Sequence, residues 1–231
     1  MSRAWFSQHR SLALTALSSI VVTAIVATAA VVSTGYSAEK IDLQDASVWV
    51  SNSAESAVGR INTEVRELNS VVPAVGSDTQ TLQDGSTVLI VDQSDATVDI
   101  VDPATSTISD SVPLPPNDPQ VLLTHTTDTA DATVVIVARA TGELWTVPLA
   151  TLSTFDAEDA PALTLGADVV TSMDESGQIF VYSPDTAAVY GILADDAGTV
   201  TSTDPLEVGE DAELSITSVG GRWAVLDSQS L

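Results

Sequence analysis

The chain has 231 residues, no cysteine, and 32 acidic against seven basic residues, for a formal net charge of −25. Without cysteine, disulfides and thiolate metal sites are excluded, and two histidines are too few for a multi-histidine cluster. A field of that sign repels nucleic acid, which is excluded as a partner, and 44% hydrophobic residues in β-type runs exclude a disordered chain.

Residues 1–10 carry Arg3 and Arg10, and residues 11–38 carry no charge. The apolar run from Leu12 to Val32 is 21 residues long. At about 1.5 Å per residue a helix of that length spans a hydrocarbon layer of roughly 30 Å. Its apolar core is Leu12, Leu14, Leu17, Ile20, Val21, Val22, Ile25, Val26, Val31 and Val32. Arginines before the run and Glu39, Asp42 and Asp45 after it orient the segment with its N-terminus inside. The expectation is a cytoplasmic segment 1–10, a transmembrane signal-anchor helix 11–38 in contact with the lipid bilayer, and an extracellular region 39–231. This places the protein at the cell membrane with a single pass. A leader cut after Ser37 is the second reading of the same segment.

Beyond residue 40 the chain repeats itself. Val48-Trp49-Val50-Ser51-Asn52, a polar turn and Val58 to Asn62 form a hairpin pattern. The pattern returns without a gap as Val88 to Asp92, a polar turn and Val98 to Asp102. Looser copies open at Val134, Val169 and Trp223, so the spacings are 40, 46, 35 and 54 residues. Alternating strands around turns rich in Ser, Asp, Asn and Gly, at this period, predict sheets of several strands each. Further strands are expected at Gln80–Leu82, Gln120–His125, Leu163–Leu165 and Leu214–Val219. The last strand, Trp223–Leu226, is expected without its hairpin partner. The proline-rich segment 113–119 and the acidic stretch 156–161 read as loops between sheets.

The stretch Thr87 to Pro115, with its strand ending in Asp92, alternating strand ending in Asp102 and Thr/Ala turn, resembles the YVTN-type β-propeller repeat. The stretch from Val48 to Leu68 is similar. The resemblance covers roughly residues 48–190 and loosens where Ala138 and Met173 replace Asn52 and Asp92. The layout also resembles the start of actinobacterial membrane-anchored envelope proteins that carry fibronectin type III domains, although no such domain is present. The resemblance implies an all-β, β-propeller-like fold of about four blades and an incomplete fifth, open or truncated, behind one N-terminal transmembrane helix. Propeller repeats scaffold many activities, so the resemblance speaks to fold.

Signs of chemistry are sparse. His125 is the one histidine outside the N-terminal segment, and no G-x-S-x-G nucleophile turn occurs. The calcium candidates are Asp92 and Asp95 in one turn and Asp174 and Glu175 in another. Neither turn matches a D-x-D-x-D-G loop with a distal Glu, and Asp92 and Asp102 share register with Asn52 and Asn62, which reads as turn capping. Residues 172–180 resemble an Asp-box with one residue too many before its glycine. Trp49, Trp145 and Trp223 do not share a register, so they read as packing residues. No catalytic residue and no cofactor is assigned, calcium being the one ion considered. The expected function is a membrane-anchored extracellular scaffold, not an enzyme, that meets an envelope protein or extracellular ligand through its blade loops. The alternatives are a propeller-type hydrolase (lactonase or glycoside hydrolase) working through carboxylates, and a calcium-binding adhesion module.

Overall fold

Valine, isoleucine and threonine fill the runs between the polar turns, and β-branched side chains favour extended backbone. A computed structural model of the protein describes residues 47–228 apart from 53, 74–75, 77, 117, 125–131, 196–197 and 210–211. All lie in one compact unit, Gln44–Leu231. Every described strand pairs antiparallel with a neighbour in sequence, giving five consecutive meandering sheets. The first holds β1 (Ser47–Asn52), β2 (Ala57–Asn62) and β3 (Glu67–Pro73). The second holds β4 (Thr79–Asp84), β5 (Thr87–Asp92), β6 (Thr97–Asp102) and β7 (Thr107–Pro113). The third holds β8 (Pro119–Leu123), β9 (Thr133–Ala138), β10 (Glu143–Pro148) and the two-residue β11 (Leu163–Thr164). The fourth holds β12 (Val170–Met173), β13 (Gln178–Ser183), β14 (Ala188–Leu193) and β15 (Val200–Pro205). The fifth is the pair β16 (Leu214–Val219) and β17 (Arg222–Asp227).

Local geometry repeats with the sheets. The turns after β1, β5, β9 and β13 each place a residue of positive φ four positions past the strand's end: Ser56, Ala96, Gly142 and Ala187. The turns after β2 and β6 do the same at Arg66 and Ser106. Left-handed backbone costs an L-residue about 1–2 kcal/mol. Strand-end Asn and Asp side chains stabilise these turns by accepting from the backbone two residues on. Asn52 Oδ1 accepts from Ala54 N–H at 3.1 Å, Asn62 Oδ1 from Glu64 N–H at 2.9 Å, and Asp102 Oδ1 from Ala104 N–H at 2.9 Å. The outer ladders break register at matching points too, at Arg60/Ile61, Ile100/Val101 and Gly191/Ile192. A single capping bond is expected to matter modestly. Asn52→Ala should lower stability by about 1 kcal/mol, read as a drop in the urea midpoint at unchanged m-value.

The core lies between the sheets. One cluster joins Trp49, Val58 and Val72 of the first sheet to Val88, Ile90 and Val101 of the second. The next joins Leu89, Val91 and Val98 to Val134, Ile136 and Val147 of the third. A third joins Val135, Val137 and Leu144 to Ile179, Val181 and Ile192 of the fourth, and the last joins Phe180, Tyr182 and Val189 to Ile216 of the fifth. Each of the three inner sheets thus has a leading face, packed on the sheet before it, and a trailing face, packed on the sheet after it. Alternation along β5, β9 and β13 supplies both, which is why the second to fifth residues of these central strands are all aliphatic or aromatic.

Several expectations are corrected. The fold class and single-pass localisation included a membrane-spanning helix over 11–38, with Leu12, Leu14, Leu17, Ile20, Val21, Val22, Ile25, Val26, Val31 and Val32 at its core. Among the described residues no helix is long and apolar enough to cross a membrane, and the helical content is a six-residue 3₁₀ turn, Leu149–Thr154. Residues 1–46 lie outside the described residues, so the anchor rests on the apolar run and its flanking charges in the sequence alone. The fourth copy opens later than Val169: Val170–Met173 is the sheet's first strand, and the hairpin matching β5–β6 is β13–β14. In the register of the structure the matching strands β1, β5, β9, β13 and β17 begin at 47, 87, 133, 178 and 222, spaced 40, 46, 45 and 44 residues apart. Leu163–Thr164 closes the third sheet by pairing with Glu143–Leu144; it does not open the fourth. Nor is the last strand solitary, since β17 pairs along its length with β16.

Candidate functional site

At one end of the sheets, the turns after the second strands meet the connections that lead into the next first strand. The connections carry an acid just before the first strand: Asp78 before β4, Asp118 before β8, and Glu213 before β16. Asp168 holds the same register, because Val170 pairs with Tyr182 and the lead-in residue falls two positions earlier. The main chain explains the placement. Gln93 N–H donates to the Asp78 carbonyl at 2.9 Å, Arg139 N–H to that of Asp118 at 3.2 Å, and Ser228 N–H to that of Glu213 at 3.0 Å. The carbonyls are held in the ladder while the four carboxyl-bearing residues stay exposed. Asp118 and Asp168 have positive φ, a conformation that short polar side chains tolerate better than most.

Between the second and third sheets this end opens into a cleft of about 480 Å³. Asp78, Gln80, Gln93, Asp118, Gln120 and Arg139 line it. Arg139 donates to the Asp118 carboxylate across a half-exposed ion pair. Gln120 is held from behind, its Oε1 accepting from Thr171 Oγ1 of the fourth sheet. The cleft therefore offers carboxylates and amides on short, hydrogen-bonded backbone, with one cation already engaged.

The calcium candidates are scattered over both ends of the sheets. Asp92 is 2% exposed at the end of β5. Its Oδ1 accepts from Ser94 N–H at 2.9 Å, Ser94 Oγ at 2.6 Å and Asp95 N–H at 3.2 Å. Oδ2 is buried without a well-formed hydrogen bond, against the backbone of Gly76. Burial alone would raise this carboxyl's pKa, but the Ser94 hydroxyl and the N–H groups of Asp95, Ser94 and Gly76 outweigh it, so the net direction is downward. Asp174, at the opposite ends of the strands, repeats the arrangement. Its Oδ1 accepts from Ser176 N–H, Ser176 Oγ and Gln178 N–H at 2.6–3.0 Å, and its pKa is likewise held down against burial. Asp95 and Glu175 are exposed. Among the described residues no group of three or more His, Asp or Glu side chains is placed to hold a metal ion. His125 lies outside the described residues.

The lead-in acids escaped the sequence reading for a physical reason. They stand at no fixed distance from the hairpins, because the turn joining first and second strands runs from two residues after β4 to nine after β8. The signal that finds them is an acid directly ahead of each first strand, which needs those strands to be placed first.

No family model matches the chain, and no curated protein does. Among solved structures, the chain is similar to one in the complex of KlAtg21 with the coiled-coil of AgAtg16, at 7% identity and a TM-score of 0.54. The match covers 75% of this chain, which spans 56% of the length of that one. A protein of unknown function from Bacteroides caccae matches at 11% identity and a TM-score of 0.43, over 77% of this chain and 63% of that one. The first of these likenesses concerns the fold alone.

Proposed function

We propose that this protein is a non-enzymatic interaction scaffold whose loop end receives a basic peptide or protein segment. The observation that carries the reading is the acidic, amide-lined cleft between Asp78 and Asp118, held on turns whose shape repeats from sheet to sheet. Two features give it force. The strong negative charge steers cationic partners toward the chain and turns nucleic acid away. The turn caps fix the loops before a partner arrives, which lowers the ordering cost of binding.

The test is anisotropy of a labelled oligoarginine peptide titrated with the full chain at several salt concentrations. Binding should weaken as salt rises, and the double variant Asp78→Asn/Asp118→Asn should weaken it about tenfold. The exposed outer-strand pair Glu67→Gln/Asp110→Asn removes the same charge elsewhere and should change it little. Equal losses in both variants would reduce the effect to net charge and sink the cleft as the site. A duplex DNA probe should not be retained.

A further inference from the structure

We infer that Arg139 is a competitor built into the cleft: its guanidinium holds the Asp118 carboxylate where a cation of the partner would bind, and the partner must displace it. The inference rests on the reading of the cleft as a seat for a basic segment and concerns how that seat is regulated. The place of Arg139 follows from the ladder. In three sheets the residue just past the end of β5, β9 or β17 gives its N–H to the carbonyl of a lead-in acid: Gln93 to Asp78, Arg139 to Asp118 and Ser228 to Glu213. That bond sets the two residues side by side. Gln93 and Ser228 are uncharged, and the third sheet alone of these puts a cation at the position. The Arg139 side chain then returns to the acid its own N–H has already fixed, so Arg139 and Asp118 are joined twice.

The two walls of the cleft are therefore unequal. Among the described residues no ion pair or side-chain hydrogen bond engages the Asp78 carboxylate, while that of Asp118 is taken. An incoming cation meets Asp78 directly and Asp118 only by exchange. The exchange is cheap. The Arg139 and Asp118 side chains are 40% and 55% exposed, and an ion pair in that setting contributes little because water screens it. Its tether keeps the Arg139 guanidinium at a high effective concentration over Asp118, so it is always present to compete. These two facts bound the effect: the competitor lowers the partner's affinity by about three- to fivefold. A cleft of this kind holds its own charge neutralised until a partner with more than one cation engages both carboxylates.

A double-mutant cycle on the full chain, read by anisotropy of labelled oligoarginine, provides the test. Arg139→Gln should tighten binding by about three- to fivefold with unchanged circular dichroism. Arg66→Gln, at an exposed turn of the first sheet, removes the same charge elsewhere and measures the general electrostatic part. In an Asp118→Asn background Arg139→Gln should gain no more than Arg66→Gln does, because no carboxylate is left to contest. Arg139→Ala replaces Arg139→Gln should the latter lose its fold. A gain no larger than that of Arg66→Gln, or the same gain with and without Asp118, overturns the inference. Weaker binding by Arg139→Gln also overturns it, since Arg139 then helps to hold the partner. Those results leave the cleft standing as long as Asp78→Asn/Asp118→Asn weakens binding by the wild type. Loss of that effect, or no binding by either wild type or Arg139→Gln, sinks the cleft and the competitor together. Binding by Arg139→Gln where wild type fails supports both.

Discussion

Gly142→Ala should destabilise the protein by about 3 kcal/mol, although alanine occupies the matching turn position in two other sheets. Gly142 has φ of +71°, and Ala96 and Ala187 sit at +49° and +48° in the same register. Left-handed backbone by itself is therefore tolerated here at about 1 kcal/mol. What sets Gly142 apart is the main chain above it. A Cβ built on Gly142 falls inside contact distance of the Gly166 carbonyl, and Gly166, itself at positive φ, lies against the Asp185 carboxylate. The loop is bonded onto the turn, with Leu165 N–H donating to the Gly142 carbonyl at 2.9 Å and Val169 N–H to that of Arg139 at 3.1 Å. Backbone cannot rotate aside as a flexible side chain does, so the loop must lift and both bonds suffer. Each is worth about 1 kcal/mol. Ala96→Gly isolates the conformational part, and it should leave stability level or raise it by up to about 1 kcal/mol. Urea unfolding of the two variants checks both. A Gly142→Ala loss no larger than the Ala96→Gly gain would mean the loop yields freely.

The hairpins were legible because their signal is local. An alternating run that ends in Asn or Asp, with a small residue four places on, encodes both the strand and the positive-φ turn that follows it. At the fourth sheet the same signal misled. Val170–Met173 and Gln178–Ser183 do form a hairpin, but they are its first and second strands, and Ser183 fills the place of Asn52 and Asp92. Serine caps more weakly, and Pro184 hides the turn, so the better match at Ile179 to Gly191 went unread. The short outer strand of the third sheet was illegible for a different reason. Pro148 ends β10 and the chain enters a 3₁₀ turn, where Leu152 is buried in the core and Trp145 packs edge-on to Phe155. That packing replaces most of an outer strand and belongs to tertiary structure. The cleft was illegible because it joins Asp78 and Asp118 from connections 40 residues apart in the chain.

The buried acid at the end of β5 should make the protein acid-sensitive. The Asp92 pKa is depressed in the folded protein relative to the ordinary carboxylate value of 3.8. A depressed folded pKa stabilises the fold at every pH above the unfolded value, and the contribution fades as pH falls through the folded value. Asp174 acts in the same sense from the other end of the sheets, so the two losses overlap below pH 4. Asp92→Ala removes three acceptor contacts at once and should cost about 3 kcal/mol at neutral pH. Asp92→Asn is the sharper probe. Asparagine caps the same turn position at Asn52 and Asn62, so Oδ1 can keep its N–H donors. Its amide nitrogen would stand where Oδ2 now lies buried beside the Gly76 N–H, setting donor against donor, at a cost of about 1–2 kcal/mol at neutral pH. The amide does not titrate, so the gap between wild type and Asp92→Asn should hold from pH 7 down to about 4 and narrow below that. Urea midpoints at pH 7 and pH 3 measure it. A gap that stays constant would mean that the carboxylate's charge contributes nothing and that Asp92 acts as a neutral turn cap.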